Sequence, residues 1–242
     1  MRIDEVIQPV VEGPNDPYIF KAVFMAGGPG SGKSYIANKL FSGYPGLKTL
    51  NSDDIYEFMM KTRDMPLDPE TIFSPQGQEL RGRAKSAYNE LDALSKAGRL
   101  GMIIDGTGKD VDKISKLKLR LDALGYDTMM VFVNTDIDTA QERNLLRNRS
   151  LPSEQVQKMW SAVQNNIGRF QRMFGNDFVI FDNSDNDDDA EQLEAADKKI
   201  RAFLNQPVRK KQAVDWLSNP TWDKDKFLPP KKKETDNNES DK

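Results

Sequence analysis

The chain has 242 residues, no cysteine, no histidine and a formal net charge of −3. Without those two residue types, disulfides, thiolate or imidazole metal ligands and an imidazole general base are excluded, so carboxylates, lysines and arginines must carry any chemistry. The slightly acidic balance argues against a protein that coats nucleic acid, although it is compatible with a local basic groove.

Neither a membrane span nor a secretion signal is predicted. No apolar run approaches the roughly 20 residues that cross a bilayer. Residues 1–11 contain acids where a signal peptide has a cationic start and a long apolar stretch. We therefore expect a cytoplasmic protein without membrane contact.

Five short apolar runs predict the strands of one sheet. Residues 1–19 mix glycine, proline and acidic residues, which predicts a leader before the first strand. Helical patterns separate the runs, which are Phe20 to Met25, Leu47 to Leu50, Gly101 to Ile104, Thr128 to Val133 and Phe178 to Phe181. This alternation predicts a three-layer α/β/α domain over residues 20–205, with a mainly parallel five-stranded sheet.

Helices are predicted where apolar residues recur every three or four positions. These segments are Tyr35 to Phe41, Ile55 to Lys61, Gln78 to Ala97 and Val111 to Leu124. Beyond residue 205 this periodicity is lost, and the composition of residues 206–242 predicts a mostly disordered charged tail. The large apolar residues of the tail either dock on the domain or on a partner, or stay in solvent; they are Trp216, Leu217, Trp222 and Phe227.

The string GGPGSGKS, directly after the first strand, fits the Walker A pattern for phosphate binding. Its glycines allow backbone N–H groups to turn toward phosphate oxygens, and the positive end of the following helix adds to them. Lys33 is expected to reach the β- and γ-phosphates of a nucleoside triphosphate, and the Ser34 hydroxyl to bind Mg²⁺. The alternative is a glycine-rich turn without a ligand. The predicted nucleotide-binding residues are Gly27, Gly28, Pro29, Gly30, Ser31, Gly32, Lys33 and Ser34.

Two acidic positions follow later strands and are predicted to lie at the same edge of the sheet. Asp53 is the candidate base that accepts the proton of an attacking hydroxyl. The alternative is that Ser52, Asp53 or Asp54 caps the next helix. Asp105 has the form of a Walker B acid, which binds or orients Mg²⁺, or else it is an acidic turn residue.

Arginines after the fourth strand predict a lid over the triphosphate. Arg143 and Arg147 are four residues apart, on one face of a predicted helix, and Arg149 follows them. Arginine donors neutralise charge on a transferring phosphoryl group, so Arg143 and Arg147 are candidate catalytic residues, and Arg143 is also a candidate nucleotide ligand. The alternative is a solvated basic helix.

This combination resembles the P-loop kinases of the zeta-toxin and phage polynucleotide 5′-kinase group. The matching elements lie within residues 20–181 and are GGPGSGKS, the NSDD segment, IIDGT and the pair Arg143 and Arg147. The resemblance implies a P-loop NTPase fold with a helical lid, ATP and Mg²⁺ as cofactors, and Asp53 as base toward a substrate hydroxyl. Kinases of this group often carry an arginine three residues after the base, where this chain has Tyr56.

The function predicted from the sequence is that of an ATP-dependent kinase. Its acceptor would be a hydroxyl of a polynucleotide 5′ end or of a nucleotide-sugar. The alternatives are a nucleotide-binding regulator or assembly factor without productive transfer, and a simple ATPase in which Asp53 or Asp105 positions water. A further basic group either lines an acceptor pocket or faces water, and it comprises Arg81, Arg83 and Lys85.

Overall fold

The computed structural model describes residues 13–146, 150–184 and 190–220. These residues form a five-stranded sheet in the order β2-β3-β1-β4-β5, and every neighbouring pair of strands is parallel. The predicted sheet is confirmed, and it is wholly rather than mainly parallel. The strands are Lys21–Ala26 (β1), Lys48–Leu50 (β2), Met102–Asp105 (β3), Asp127–Asn134 (β4) and Phe178–Asp182 (β5).

Helices separate the strands, as the sequence pattern predicts. The α-helices of the described residues are Lys33–Phe41 (α1), Ser52–Lys61 (α2), Pro69–Phe73 (α3), Pro75–Ala97 (α4), Val111–Ala123 (α5), Ile137–Leu145 (α6), Ser153–Gln164 (α7), Ile167–Phe174 (α8), Ala190–Leu204 (α9) and Lys211–Ser218 (α10). The four helices predicted from periodicity correspond to α1, α2, α4 and α5. Within the described ranges, no helix combines the length and the apolar character needed to cross a bilayer.

The sheet lies between two apolar layers, because β1 is buried along its whole length and its alternate side chains point to opposite faces. Val23 and Met25 pack in a cluster with residues of α1 and α9. Ala22 and Phe24 pack in a second cluster with residues of α5, α7, α8 and α10. These two layers confirm the three-layer architecture. A separate apolar cluster joins α2, α3 and α4 beside the sheet.

The end of the predicted leader is packed against the domain. Asp16 is 4% exposed. Its carboxylate pairs with the Lys48 ammonium of β2 and accepts a hydrogen bond from the Gly101 N–H at 3.1 Å, just before β3. Because a buried carboxylate needs such partners, these contacts fix residues near Asp16 at the amino ends of two strands.

Helix α10 lies in the segment for which a mostly disordered tail is predicted, and the prediction is wrong for residues 211–218. Trp216 is 9% exposed and packs edge-on against Phe20, with the ring centroids 5.6 Å apart. Ala213 is fully buried in the same cluster. Burial of an indole removes a large apolar area from water, which anchors this short helix despite its polar neighbours. Trp222 and Phe227 lie outside the described residues.

Candidate functional site

The phosphate loop and the segments that carry Asp53 and Asp105 begin or end at the carboxyl ends of the parallel strands, where open α/β sheets bind ligands. The GGPGSGKS loop follows β1, Asn51 follows β2, and Asp105 is the last residue of β3. Strand β3 lies between β2 and β1. The three segments are therefore neighbours, although 54 residues separate Asn51 from Asp105 along the chain.

The phosphate-loop residues Gly27 to Gly32 connect β1 to α1, and Lys33 and Ser34 are the first two residues of that helix. Gly30 and Gly32 have positive φ angles of 75° and 74°, which side chains rarely adopt. A Cβ at Gly30 would collide with the Ala140 backbone, and one at Gly32 with the Asn183 side chain. The glycines therefore keep open a backbone turn that directs N–H groups toward an anion.

One polar atom inside this loop is unused. Ser31 is 1% exposed, and its hydroxyl has no hydrogen-bond partner among the described residues. Its backbone carbonyl, by contrast, accepts a hydrogen bond from Asn183 Nδ2 at 2.8 Å. Buried hydroxyls are rarely left unpaired, so the free hydroxyl is consistent with a loop shaped for a polar ligand.

Lys33, Asp105 and Asn51 form a connected group above the ends of β1, β2 and β3. The Lys33 ammonium pairs with Asp105 Oδ1, and Asn51 Nδ2 donates to Asp105 Oδ2 at 2.8 Å. The side chains of Lys33 and Asp105 are 15% and 17% exposed. A triphosphate carries more negative charge than one carboxylate and can therefore compete for the lysine ammonium.

Asn51, rather than any of the three residues after it, is the N-cap of α2. Its side chain accepts a hydrogen bond from the Asp53 N–H at 2.9 Å. The alternative that Ser52, Asp53 or Asp54 caps the helix is therefore wrong. Asp53 is exposed in the first turn of α2, where its carboxylate is not needed for capping.

Asp54, the next residue, is electrostatically coupled to the same group. Desolvation raises the pKa of Asp54, the nearby charges of Asp105, Glu57 and Asp53 raise it further, and the Lys33 ammonium opposes the shift. Solvent still reaches the Asp54 side chain, which screens these interactions. Asp54 is therefore the α2 carboxylate whose charge is coupled to Lys33 and Asp105, and the sequence analysis considered it only as a possible helix cap.

Arg143 lies beside the phosphate loop, and its predicted contact with the triphosphate stays a prediction. Its guanidinium donates to the Asn183 carbonyl at 2.7 Å and to the Gly30 carbonyl at 3.5 Å. Helix α6 carries Arg143, and its cap at Asp136 fixes the start of that helix, because the Asp136 carboxylate accepts from Thr139 N–H. Arg147, the second predicted lid arginine, lies outside the described residues, so its role stays a prediction.

Asn144, near the end of α6, is hydrogen-bonded to Leu151, just before α7. Asn144, which is 2% exposed, donates to the Leu151 carbonyl at 2.8 Å and accepts from the Leu151 N–H at 2.9 Å. Helix α7 is attached to the end of β4, because Trp160 Nε1 donates to the Thr135 carbonyl at 2.8 Å. A helical pair therefore flanks the loop.

Asn183 is a site residue that the sequence analysis missed. It directly follows β5. Its side-chain amide donates a hydrogen bond to the Ser31 carbonyl, and its backbone carbonyl accepts one from the Arg143 guanidinium. The signal was available, because the rule that identified Asp53 and Asp105 from their place after a strand also applies to the residue after β5.

The donor set of the site fits Mg²⁺. No group of three or more acidic side chains that could hold a metal occurs among the described residues. Magnesium typically takes only one or two protein ligands and completes its shell with water and phosphate oxygens. The Ser34 hydroxyl, at the start of α1, and the Asp105 carboxylate, at the end of β3, are of the type it requires.

The fold and the site define the class of protein. A parallel sheet in this order, with a GxxxxGKS loop between β1 and α1 and an acid at the end of β3, is a P-loop kinase fold. The chain belongs to the AAA domain family, whose model matches residues 23–165, more than half of the 242 residues. The finer grouping with zeta toxins and phage polynucleotide kinases stays a prediction.

Several solved structures share this fold. A structure of the PezAT chromosomal toxin-antitoxin system of Streptococcus pneumoniae has a TM-score of 0.55 and 14% identity, and the match covers 89% of this chain and 94% of that chain. The AvrRxo1-ORF1:-ORF2 complex with ATP has a TM-score of 0.52 and 15% identity, covering 86% and 73%. At these identities the likeness concerns the fold alone. A search of curated proteins found no matching sequence.

Proposed function

We propose that the protein transfers the γ-phosphoryl group of ATP to a hydroxyl of an acceptor. The observation that carries this proposal is the arrangement around Asn51. Its side chain contacts the Asp53 N–H on one side and Asp105 on the other, and Asp105 is paired with Lys33. Asn51 therefore holds the first turn of α2, which carries the non-capping residue Asp53, beside the Lys33–Asp105 pair.

ATP would bind with its triphosphate in the loop of Gly27 to Ser34. Lys33 would leave Asp105 for the β- and γ-phosphates, and Arg143 would neutralise charge from the lid side. Ser34 and Asp105 would hold Mg²⁺. When bound, the ion would neutralise part of the negative charge that develops on the phosphate oxygens.

In the transfer step, Asp53 would act as the base. It accepts the proton of the acceptor hydroxyl while the hydroxyl oxygen forms a bond to the γ-phosphorus. The bond between that phosphorus and the β–γ bridging oxygen breaks, and ADP leaves. Asp54 is the competing candidate for this role, because the raised pKa of Asp54 also favours proton acceptance.

The acceptor class is proposed from the sequence resemblance. A polynucleotide 5′ end and a nucleotide-sugar both offer an alcohol hydroxyl. In either case Asp53 would meet the hydroxyl beyond the end of β2, on the side of the phosphate loop occupied by α2 and α4.

Label transfer from γ-labelled ATP tests the proposal. The protein is incubated with Mg²⁺ and a panel of 5′-hydroxyl DNA, 5′-hydroxyl RNA and amino-sugar nucleotides. We expect label on one acceptor, a loss of about 10²-fold or more in Asp53→Asn, as for removal of a general base, and near wild-type transfer in Glu57→Gln. Glu57 is the matched control because it is an exposed acid one helical turn further along α2.

Other outcomes distinguish the competing functions. Release of free phosphate at the same rate with and without an acceptor would indicate an ATPase. Binding of ATP without transfer or hydrolysis would indicate a nucleotide-dependent regulator. Full transfer in Asp53→Asn, together with its loss in Asp54→Asn, would move the base to the second carboxylate.

A further inference from the structure

Asn166 is a buried polar residue in the turn between α7 and α8. It is 9% exposed, and its side-chain amide donates to the Gly108 carbonyl at 2.9 Å and to the Lys109 carbonyl at 3.0 Å. Both acceptors belong to residues 106–109, the loop that directly follows Asp105. Because a buried donor that serves two acceptors is costly to displace, Asn166 fixes the far end of this loop.

The same loop is bound to the end of β1, where the phosphate loop begins. The Gly106 N–H donates to the Met25 carbonyl at 3.1 Å. The Gly27 N–H donates to the Thr107 carbonyl at 3.3 Å. Gly108 has a φ angle of 78°, and a Cβ there would lie 3.0 Å from the Cβ of the last residue of β1. The loop is therefore packed against β1 and shares a hydrogen bond with the first glycine of the phosphate loop.

Helix α7 reaches the site at two other points. Gln164, its last residue, donates from Nε2 to Asn134 Oδ1 at 2.7 Å, at the end of β4. A Cβ at Gly28 would lie 3.9 Å from Trp160 Cα, so the middle of α7 is close to the phosphate loop. Two side-chain amides, two residues apart, thus attach the same helix end to the sheet. Gln164 binds β4, whereas Asn166 binds the loop after β3.

We propose that Asn166 is a positioning residue, which holds Asp105 where the Mg²⁺ of bound ATP needs its carboxylate. Asn166 acts through the loop of residues 106–109 and not on the ligand itself. A four-residue loop between fixed ends absorbs little displacement, so release of one end would shift Asp105 and, through the Thr107 carbonyl, Gly27. This inference rests on the proposed function, because it takes Asp105 as a ligand of Mg²⁺.

Amide hydrogen exchange in the ligand-free protein tests the contact between Asn166 and the loop. Asn166→Ala removes the donor of two carbonyls, so the Gly27 and Gly106 amides are expected to exchange about 5–30-fold faster than in wild type. Gln164→Ala is the matched control, because it removes an amide from the same helix end, and it is expected to leave both exchange rates unchanged. Asn166→Ser keeps a shorter donor, is expected to give an intermediate rate, and replaces Asn166→Ala if that variant does not fold.

The response of ATP binding to Mg²⁺ tests the role toward the metal. The dissociation constant of ATP is measured by calorimetry with Mg²⁺ and with a chelator, and the ratio of the two values is the gain in affinity from the ion. Asn166→Ala is expected to reduce this gain by about 10-fold, as for loss of a residue that orients a metal ligand, whereas Gln164→Ala should keep it. A general loosening of the fold would weaken ATP binding under both conditions and leave the ratio unchanged.

These outcomes separate the role of Asn166 from the proposed function. Three results in a folded Asn166 variant would overturn the role: unchanged exchange at Gly27 and Gly106, an equal rise in Gln164→Ala, or an undiminished gain from Mg²⁺. In each case, wild-type protein that binds ATP more tightly with Mg²⁺ leaves the kinase proposal standing. Folded wild-type protein that gains no affinity from Mg²⁺ would instead refute the metal site of the proposed function, and the role of Asn166 with it.

Discussion

Substitution of Asn51 removes two hydrogen bonds of its side chain, one that caps α2 and one to Asp105. Asn51 Oδ1 accepts from the Asp53 N–H at 2.9 Å, and Nδ2 donates to Asp105 at 2.8 Å. Loss of an N-cap costs about 1 kcal/mol. Loss of a hydrogen bond to a charged carboxylate costs about 1.5–3 kcal/mol, toward the lower end here because Asp105 keeps Lys33 as a partner. Asn51→Ala is therefore expected to lower the free energy of unfolding by about 2–3 kcal/mol.

Two further variants separate these two bonds. Asn51→Ser keeps a good N-cap and removes only the amide donor, so its loss is expected to be smaller by about 1 kcal/mol. Asn51→Asp also keeps the cap but sets a second carboxylate against Asp105, and its deficit is expected to shrink as the pH falls and one of the pair takes up a proton. The measurement is urea denaturation at pH 7 and pH 4. Equal unfolding free energies for Asn51→Ala and Asn51→Ser would refute the capping role, and a pH-independent deficit in Asn51→Asp would refute the contact with Asp105.

Three other substitutions test separate parts of the structure. Asp54→Asn is expected to stabilise the fold at pH 7, because the pKa of Asp54 is raised and its ionised form is disfavoured. The gain should vanish below the ordinary value of 3.8, and urea denaturation at pH 7 and at about pH 3 measures it. Trp216→Ala is expected to cost about 3–5 kcal/mol in urea denaturation, whereas Val214→Ala, at a position that is 45% exposed, should change little; equal effects would contradict the docking of α10. Asn183→Ala is expected to weaken ATP binding by roughly 5–30-fold in calorimetric titration, because the hydrogen bond from the Asn183 amide to the Ser31 carbonyl is lost. Unchanged affinity would show that this hydrogen bond does not position the phosphate loop for ATP.

The strands and the phosphate loop could be predicted because their signals are local. A buried parallel strand is a short apolar run, and a loop that turns its N–H groups inward needs glycine at fixed spacing. Both kinds of signal lie within a few residues of one another along the chain. Gly30 and Gly32 have the positive φ angles that such a loop requires.

The identity of the α2 cap could not be decided from the sequence, because four neighbouring residues are all good capping types. Asn51, Ser52, Asp53 and Asp54 differ in what lies opposite them in the fold. Only Asn51 is placed by β2 so that its amide also reaches Asp105, which belongs to another strand. That long-range contact favours Asn51 as the cap, and propensity alone does not contain it.

Helix α10 was missed for a related reason. Its segment is polar in composition, and its packing depends on residues distant in the sequence, such as Phe20 against Trp216. Periodicity over eight residues is a weak signal. Arg81 shows the same limit, since only the structure shows that its guanidinium stacks on the Tyr56 ring whereas the neighbouring Arg83 pairs with Glu79.

The binding of ATP with Mg²⁺ is the most direct test of the account, because every proposed step needs the triphosphate in the loop of Gly27 to Ser34. Titration calorimetry of wild-type protein and Lys33→Met, with and without Mg²⁺, measures it. We expect saturable binding that weakens without Mg²⁺ and is lost in Lys33→Met while the variant stays folded. A folded wild-type protein with no affinity for any nucleoside triphosphate, or a Lys33→Met variant that binds as tightly as wild type, would contradict it.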